Sequence, residues 1–186
     1  VGTGAQVVVM DRSIDALRRI DAMLGARVMT VYSTAEAIER EVLAADLVIS
    51  GVLIPGASAP KLITRALVRR MRPGSVIVDV AIDQGGATEG ARPTTHADPT
   101  YVVDGVVHYM VANMPGAVPR TSTYALNHAT LPYTLALADR GWKDALITDP
   151  GLRAGLNVAE GRITNEPVAR SLGLDYTPPE RMLGLA

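Results

Sequence analysis

Four short runs of aliphatic and β-branched residues recur along the first half of the chain, and each of the first three is followed by a segment of helical period. Gln6–Met10 (QVVVM) is the first run, and Ile14, Leu17, Ile20 and Leu24 then return at helical spacing up to Gly25, which stands where a C-cap belongs. Arg27–Tyr32 predicts a second strand. Ser33 and Glu36 have capping-box spacing, so a helix is expected to run from there to about Leu43. Asp46–Leu53 predicts a third strand. Pro60 suits a first helical turn, with Leu62, Ile63, Ala66, Leu67 and Met71 as an apolar face ended by Pro73–Gly74. Ser75–Ile82 predicts a fourth strand. The strands are apolar along their length, as strands covered on both faces by helices are. The expected fold class is therefore α/β, a doubly wound parallel sheet. Ligands of such sheets bind outside the carboxyl ends of the strands, where Asp11, Leu53 and Asp83 stand.

Beyond Asp83 the pattern loosens. Gly85–Pro99 reads as a polar loop, and Thr100–Val103 and Val106–Val111 as two short strands. Met114–Thr123 (MPGAVPRTST) reads as a proline-rich hinge, with a domain boundary near Arg120. A long helix is expected after it, kinked near Pro132, followed by a hairpin at Asn157–Thr164 and a short helix at Pro167–Leu172.

With 186 residues, 48% of them hydrophobic, the chain can build one large core or two small ones. A net charge of −1 gives no electrostatic reason to expect nucleic acid or an anionic membrane as partner. The absence of cysteine excludes disulfides, thiolate metal sites and a thiol nucleophile. No apolar run reaches membrane-spanning length, and no signal peptide is visible, so a soluble cytoplasmic protein is expected. The start, VGTGAQVVVMD, has no methionine and enters a strand almost at once, which suggests a fragment or a processed chain.

Three places combine strand ends with chemistry. An acid just past a strand of a nucleotide-binding unit, as Asp11 is, can accept hydrogen bonds from the ribose hydroxyls of NAD and repel the extra phosphate of NADP. Asp is equally favoured as a helix N-cap, and Arg12 beside it softens the preference against phosphate. The glycine fingerprint that should precede Asp11 is absent, since Gly2 and Gly4 have no strand before them and read as the end of a helix. Gly51–Gly56 (GVLIPG) breaks a strand and offers a flat wall to a base or ribose, or is an ordinary strand-to-helix turn. Asp83 sits at the end of an apolar strand with Gly85 and Gly86 beyond it. A partly desolvated crevice there would raise its pKa and let it exchange or orient protons, while the glycines give a ligand room. The alternative is a turn aspartate capping its own loop. His96, His108 and His128 match no metal spacing and read as structural or surface residues. Ser33 reads first as a helix cap. Ser122 lacks the context of a hydrolase nucleophile. Asn113 and Met114 close a strand and could contact a ring.

Taken together, DLVISGVLIPGASAPKLIT, PGSVIVDVAIDQGG, RPTTH and VANMPGAVPRTSTYALNHATLPY resemble the alanine dehydrogenase family, along nearly the whole chain and on through GLNVAEGRIT. The resemblance implies a Rossmann-like NAD domain over residues 1–119, without its first strand and glycine loop, and a return to the substrate domain over 120–186. It implies NAD as cofactor and oxidative deamination of L-alanine to pyruvate and ammonium by a homo-oligomer, often a hexamer. By matched position it assigns Asp11 to the adenosine ribose, Ser33 to the adenine end, and Val52 and Leu53 to the nucleoside wall. Val80, Ala81, Ile82 and Asp83, with Val111, Ala112, Asn113 and Met114, surround the nicotinamide side, and Arg92 joins the same shell. Asp83 is the catalytic residue it assigns within this chain; the family's histidine, lysine and arginine fall outside it. Ala16 stands where some members carry a basic side chain. The implied expectation is that this chain does not catalyse the reaction alone. Two alternatives remain: the NAD(H)-binding component of a transhydrogenase-like assembly, against which IDQGG argues, and a non-catalytic truncated paralogue.

Overall fold

A computed structural model describes residues 1–52, 54 and 58–185. The chain forms two compact units, one of Val1–Leu53 with Ala59–Ala112, the other of Ile54–Ser58 with Asn113–Ala186.

In the first unit β1 (Val7–Asp11) leads into α1 (Ile14–Leu24), β2 (Val28–Tyr32), α2 (Ala35–Ala44) and β3 (Leu47–Ser50). The short α3 (Arg65–Val68) precedes β4 (Val76–Asp79), and β5 (Thr100–Val103) and β6 (Val106–Tyr109) close the unit. The expected strands are all present: β5 has the expected bounds, β1 lies one residue later at the same length, and the other four are shorter. The fourth ends at Asp79 rather than Ile82, because Asp79 accepts the amide of Ala81 and turns Val80–Gln84 into a 3₁₀ helix. The helix expected over Leu62–Met71 keeps a single turn. It starts at Thr64, which caps it, while the preceding Leu62 and Ile63 donate their amides to the carbonyl of Ala87.

The strands make two hydrogen-bonded sets rather than one sheet: β1 with β2, and β3-β4-β6-β5. Every pairing is parallel except β5 with β6. Doubly wound sheets have the strand order 3-2-1-4-5-6. In that order β2 and β1 correspond to strands 3 and 2, and β3, β4 and β6 to strands 4, 5 and 6. No described strand takes the first place, so the two sets share no ladder. The fold is nonetheless α/β with parallel-dominated sheets.

The core lies against the four-stranded sheet. Ile77 of β4, Val106 of β6 and Met110 are wholly buried with Val68 and Met71 from the α3 segment and Val42 from α2. Each such side chain contributes about 1.5–3 kcal/mol by leaving water.

In the second unit, α4 (Pro119–Thr148) is followed by α5 (Pro150–Ala154), the hairpin β7 (Val158–Ala159) and β8 (Arg162–Ile163), α6 (Glu166–Leu172) and α7 (Pro179–Leu183). The hairpin forms where it was expected, because Glu160 and Gly161 both take positive φ, as a tight two-residue turn requires. The kink of α4 falls elsewhere. Pro132 keeps helical geometry, and the break is at Gly141, with φ 73° and ψ 162°, a conformation that only glycine adopts cheaply.

Candidate functional site

The carboxyl ends of β1 and β2 lie side by side. Asp11 pairs with Tyr32 in register, and the Ser33 amide donates to the Asp11 carbonyl at 3.0 Å. Neither residue caps the helix it precedes. Ser13 caps α1 by accepting from the Ala16 amide at 3.2 Å, and Thr34 caps α2 by accepting from Ala37 at 3.1 Å. The cap expected of Ser33, and the cap open to Asp11, are therefore supplied one and two residues further on. Asp11 Oδ1 accepts from the Ser13 amide at 2.7 Å, which orients the carboxylate. Among the described residues its other oxygen takes no hydrogen bond. Ser33, half-buried, lines a cleft of about 650 Å³ with Arg12, Tyr32, Lys61 and Arg70. That cleft includes Ser33 but neither Asp11 nor Asp83.

At the end of β3, Val52 is half-buried in irregular backbone, and Leu53 lies outside the described residues. At the end of β4 the residues Val80–Gln84 form one 3₁₀ helix. Ala81 and Ile82 point inward, Val80 is 50% exposed, and Asp83 is exposed. Among the described residues no desolvated crevice forms around Asp83, which stays exposed. The acid that is buried at the strand end is Asp79, at 0% exposure. Turning the chain at Asp79 sends Asp83 to the outer side of the turn, four residues later.

Asp79 organises this turn. Its Oδ1 accepts from the Ala81 amide at 3.2 Å and its Oδ2 from the Thr88 amide at 3.0 Å. Gly85 ends the 3₁₀ helix in the left-handed region at φ 85°, and its amide donates to the Ile82 carbonyl. Gly86 follows at φ 72°, where an added Cβ would stand 3.0 Å from Asp79 Oδ2 and 3.3 Å from Ala91. Both glycines are thus required by the backbone, and Gly86 also by its nearness to the buried carboxylate. Lys61 lies across the turn and donates from Nζ to the carbonyls of Gly85 and Gly86.

Asp79 also faces β6. His108 is 3% exposed, stacks on Tyr101 with ring centroids 5.1 Å apart, and finds no hydrogen-bond partner for either ring nitrogen among the described residues. Burial lowers its pKa, and the charge of Asp79 offsets part of that shift. Arg92 is exposed and lays its guanidinium 4.2 Å above the other ring of this stack, Tyr101, whose hydroxyl accepts the Arg92 amide. At the end of β6, Val111 is buried and bridged to Thr94, and Ala112 is exposed. Asn113 and Met114 belong to the second unit, where Asn113, at φ 55°, leads into a 3₁₀ turn over Met114–Ala117.

Asp11, Ser33, Val52, Val80–Asp83 and Val111 therefore all follow the carboxyl ends of parallel strands, the part of such a sheet that receives ligands. Asp79, Thr88 and Lys61 escaped the reading of the sequence. A usable signal existed for the first: Asp79 is the only charged residue inside VIVDVAI, and an acid within an apolar strand needs internal donors. No pattern marks Lys61, whose partners lie 24 and 25 residues away. Among the described residues no group of acids and histidines could hold a metal ion, and no helix is long and apolar enough to cross a membrane.

Comparison with known proteins agrees with this geometry. Residues 1–166 match the family model described as alanine dehydrogenase/PNT, C-terminal domain. The chain is 57% identical over 184 residues to an alanine dehydrogenase of Halomonas elongata, covering 99% of this chain and 50% of that protein. It is 54% identical to an alanine dehydrogenase of Bacillus subtilis, covering 98% and 49%. It superposes on a solved L-alanine dehydrogenase with a TM-score of 0.80 at 50% identity, over 92% of this chain and 47% of that one. A transhydrogenase from Sinorhizobium meliloti is more distant, with a TM-score of 0.57 and 30% identity over 65% of this chain and 35% of that one. The chain spans about half the length of the curated relatives it matches. On the family match and these identities together, the chain belongs to the alanine dehydrogenase/PNT family and carries its C-terminal domain.

Proposed function

We propose that this chain is the dinucleotide-binding portion of an NAD-dependent alanine dehydrogenase, which converts L-alanine and water to pyruvate and ammonium. Residues 1–119 would bind the dinucleotide and residues 120–186 would belong to the substrate domain. The observation that carries the reading is the convergence of Asp11, Ser33, Val52 and the Asp83 turn on the carboxyl ends of parallel strands. Identity of 57% and 54% to proteins named alanine dehydrogenase, against 30% to a transhydrogenase, favours this activity over hydride exchange between nucleotides.

The residues present fit NAD. Among the described residues one oxygen of the Asp11 carboxylate has no donor, so it can accept from ribose hydroxyls. Ser33 stands beside it for the adenine end, and Val52, with Leu53 by resemblance, is assigned to the nucleoside wall. Val80, Ala81, Ile82, Asp83, Arg92, Val111, Ala112, Asn113 and Met114 are assigned to the nicotinamide side. NAD, when bound, supplies the acceptor for the hydride leaving the substrate α-carbon. Asp83 holds or moves a proton at its carboxylate while the substrate loses its amine, a task that calls for a positioned acid or base. The exposed carboxylate is accessible to a substrate from outside this chain, which matches a site shared with a second domain. The same reading makes the protein a cytoplasmic homo-oligomer, hexameric by resemblance.

The test is alanine-dependent reduction of NAD by a polypeptide that contains this chain, compared with its Asp83→Asn variant. Turnover should fall by about 10²–10⁴-fold, the usual contribution of a positioned acid or base, while NADH still binds. Unchanged turnover would remove Asp83 from the chemistry, and absence of any alanine dependence would overturn the activity.

A further inference from the structure

The turn that carries Asp83 is held from two sides by residues that no part of the functional reading uses. From inside, the single carboxylate of Asp79 accepts amides from both ends of the segment, Ala81 at 3.2 Å and Thr88 at 3.0 Å. From outside, the Lys61 ammonium donates to two successive carbonyls, those of Gly85 and Gly86, the latter at 2.6 Å. The two anchors meet at Gly86, whose Cα hydrogen faces Asp79 where an added Cβ would reach Oδ2 at 3.0 Å.

Each anchor is costly if it does nothing else. Asp79 is 0% exposed, and a carboxylate out of water is unfavourable unless hydrogen-bonded. An ammonium has three donors, and here two are spent on backbone that is not part of any helix or strand ladder. Gly85 and Gly86, whose carbonyls both face this ammonium, take positive φ at 85° and 72°, so the turn it grips is one that glycine makes possible. The segment between the anchors is thus closed at its ends by one side chain and pinned near its middle by another.

We propose that Lys61 and Asp79 are positioning residues for Asp83. The proposal rests on the reading of Asp83 given above. Lys61 and Asp79 touch no reacting atom; they set the place and mobility of the 3₁₀ turn that presents the Asp83 carboxylate. Positional error of about 1 Å in a catalytic group costs on the order of 10²-fold in rate, so losing either anchor should lower turnover without abolishing cofactor binding.

The experiment uses Lys61→Met, Lys61→Arg and Asp79→Asn in a polypeptide that contains this chain, and reads amide hydrogen exchange and steady-state kinetics together. Lys61 is exposed, so its variants keep the fold even if Asp79→Asn does not. In Lys61→Met, exchange at Gly85 and Gly86 should quicken about 10-fold or more while Ile77 and Val78 in β4 stay protected, as local opening without global unfolding predicts. In Asp79→Asn the Ala81 or Thr88 amide should quicken, because the amide side chain offers one acceptor in place of two. In Lys61→Met kcat should fall by roughly 10²-fold with little change in KM for NAD, and Lys61→Arg should restore most of it. Unchanged exchange at Gly85 and Gly86, or faster exchange with normal kcat, would overturn the proposal. Normal turnover in Asp83→Asn would instead remove the catalytic reading of Asp83, leaving exchange alone to judge the two anchors.

Discussion

The amide of Ser33 donates to the carbonyl of Asp11 at 3.0 Å, so two residues 22 positions apart in the chain meet at the ends of neighbouring parallel strands. Neither is needed to start a helix. Ser13 and Thr34 do that work, and the Ser33 hydroxyl and the second oxygen of Asp11, whose first accepts from the Ser13 amide, cap no helix.

This division of labour is measurable. Thr34→Ala should destabilise the chain by about 1 kcal/mol, the usual value of an N-cap. Ser33→Ala should stay within about 0.5 kcal/mol of the parent, as a surface change free of such a role does. Urea unfolding of both variants checks the pair, and the reverse order would return Ser33 to capping.

Asp11→Ala should weaken NAD binding and raise the relative affinity for NADP. A like charge 4 Å from the added phosphate costs about 4 kcal/mol at an effective dielectric of 20. Asp11 is exposed and screened by salt, so a shift nearer 10-fold in the ratio of the two affinities is expected. Titration of both cofactors against a polypeptide that contains this chain measures it. A ratio that does not move would remove Asp11 from cofactor choice.

Gly86→Ala should destabilise the turn more than Gly85→Ala. Both positions have positive φ, which costs a non-glycine residue of order 1–3 kcal/mol. Only at Gly86 would the new methyl also meet a neighbour, Asp79 Oδ2 at 3.0 Å, while the space at Gly85 is open. Thermal unfolding of the two variants should separate them in that order.

His108 makes stability depend on pH with a fixed sign. Its pKa is lowered in the folded chain by burial, against the opposing charge of Asp79, and lies near 6.5 when unfolded. Between those values the unfolded chain binds the extra proton, so acid favours unfolding. The contribution is present above about pH 6.5 and is lost as pH falls through the folded value. His108→Phe can keep the stack on Tyr101 and cannot titrate. Its urea midpoint should change less between pH 7.5 and 5.5 than that of the parent, and equal slopes would contradict the assignment.

The alternation of apolar runs and helical periods made the parallel α/β architecture legible, and the positions of Asp11 and Ser33 at strand ends followed from it, while Asp83 lies in the 3₁₀ turn after β4. The cap of α2 was misread by one residue because Ser33 and Thr34 are both competent acceptors and local sequence does not say which one caps; at α1 the capping reading left open for Asp11 is taken by Ser13. The break in α4 was expected at Pro132 and lies at Gly141, whose φ of 73° and ψ of 162° are far from helical values and open to glycine alone at little cost.

By itself the sequence determined the family and the order of the strands of the first unit with the helices α1 and α2 between them, since these are written in periods and motifs that span a few residues; it did not show α5, α7 or the 3₁₀ turn after Asp79. Only the tertiary structure decided that the buried acid is Asp79 and the exposed one Asp83, and that Lys61 grips the glycines beyond it. Burial and pairing depend on which segments the sheet brings together, and Lys61 and Thr88 approach the β4 turn from segments that no local pattern links to it.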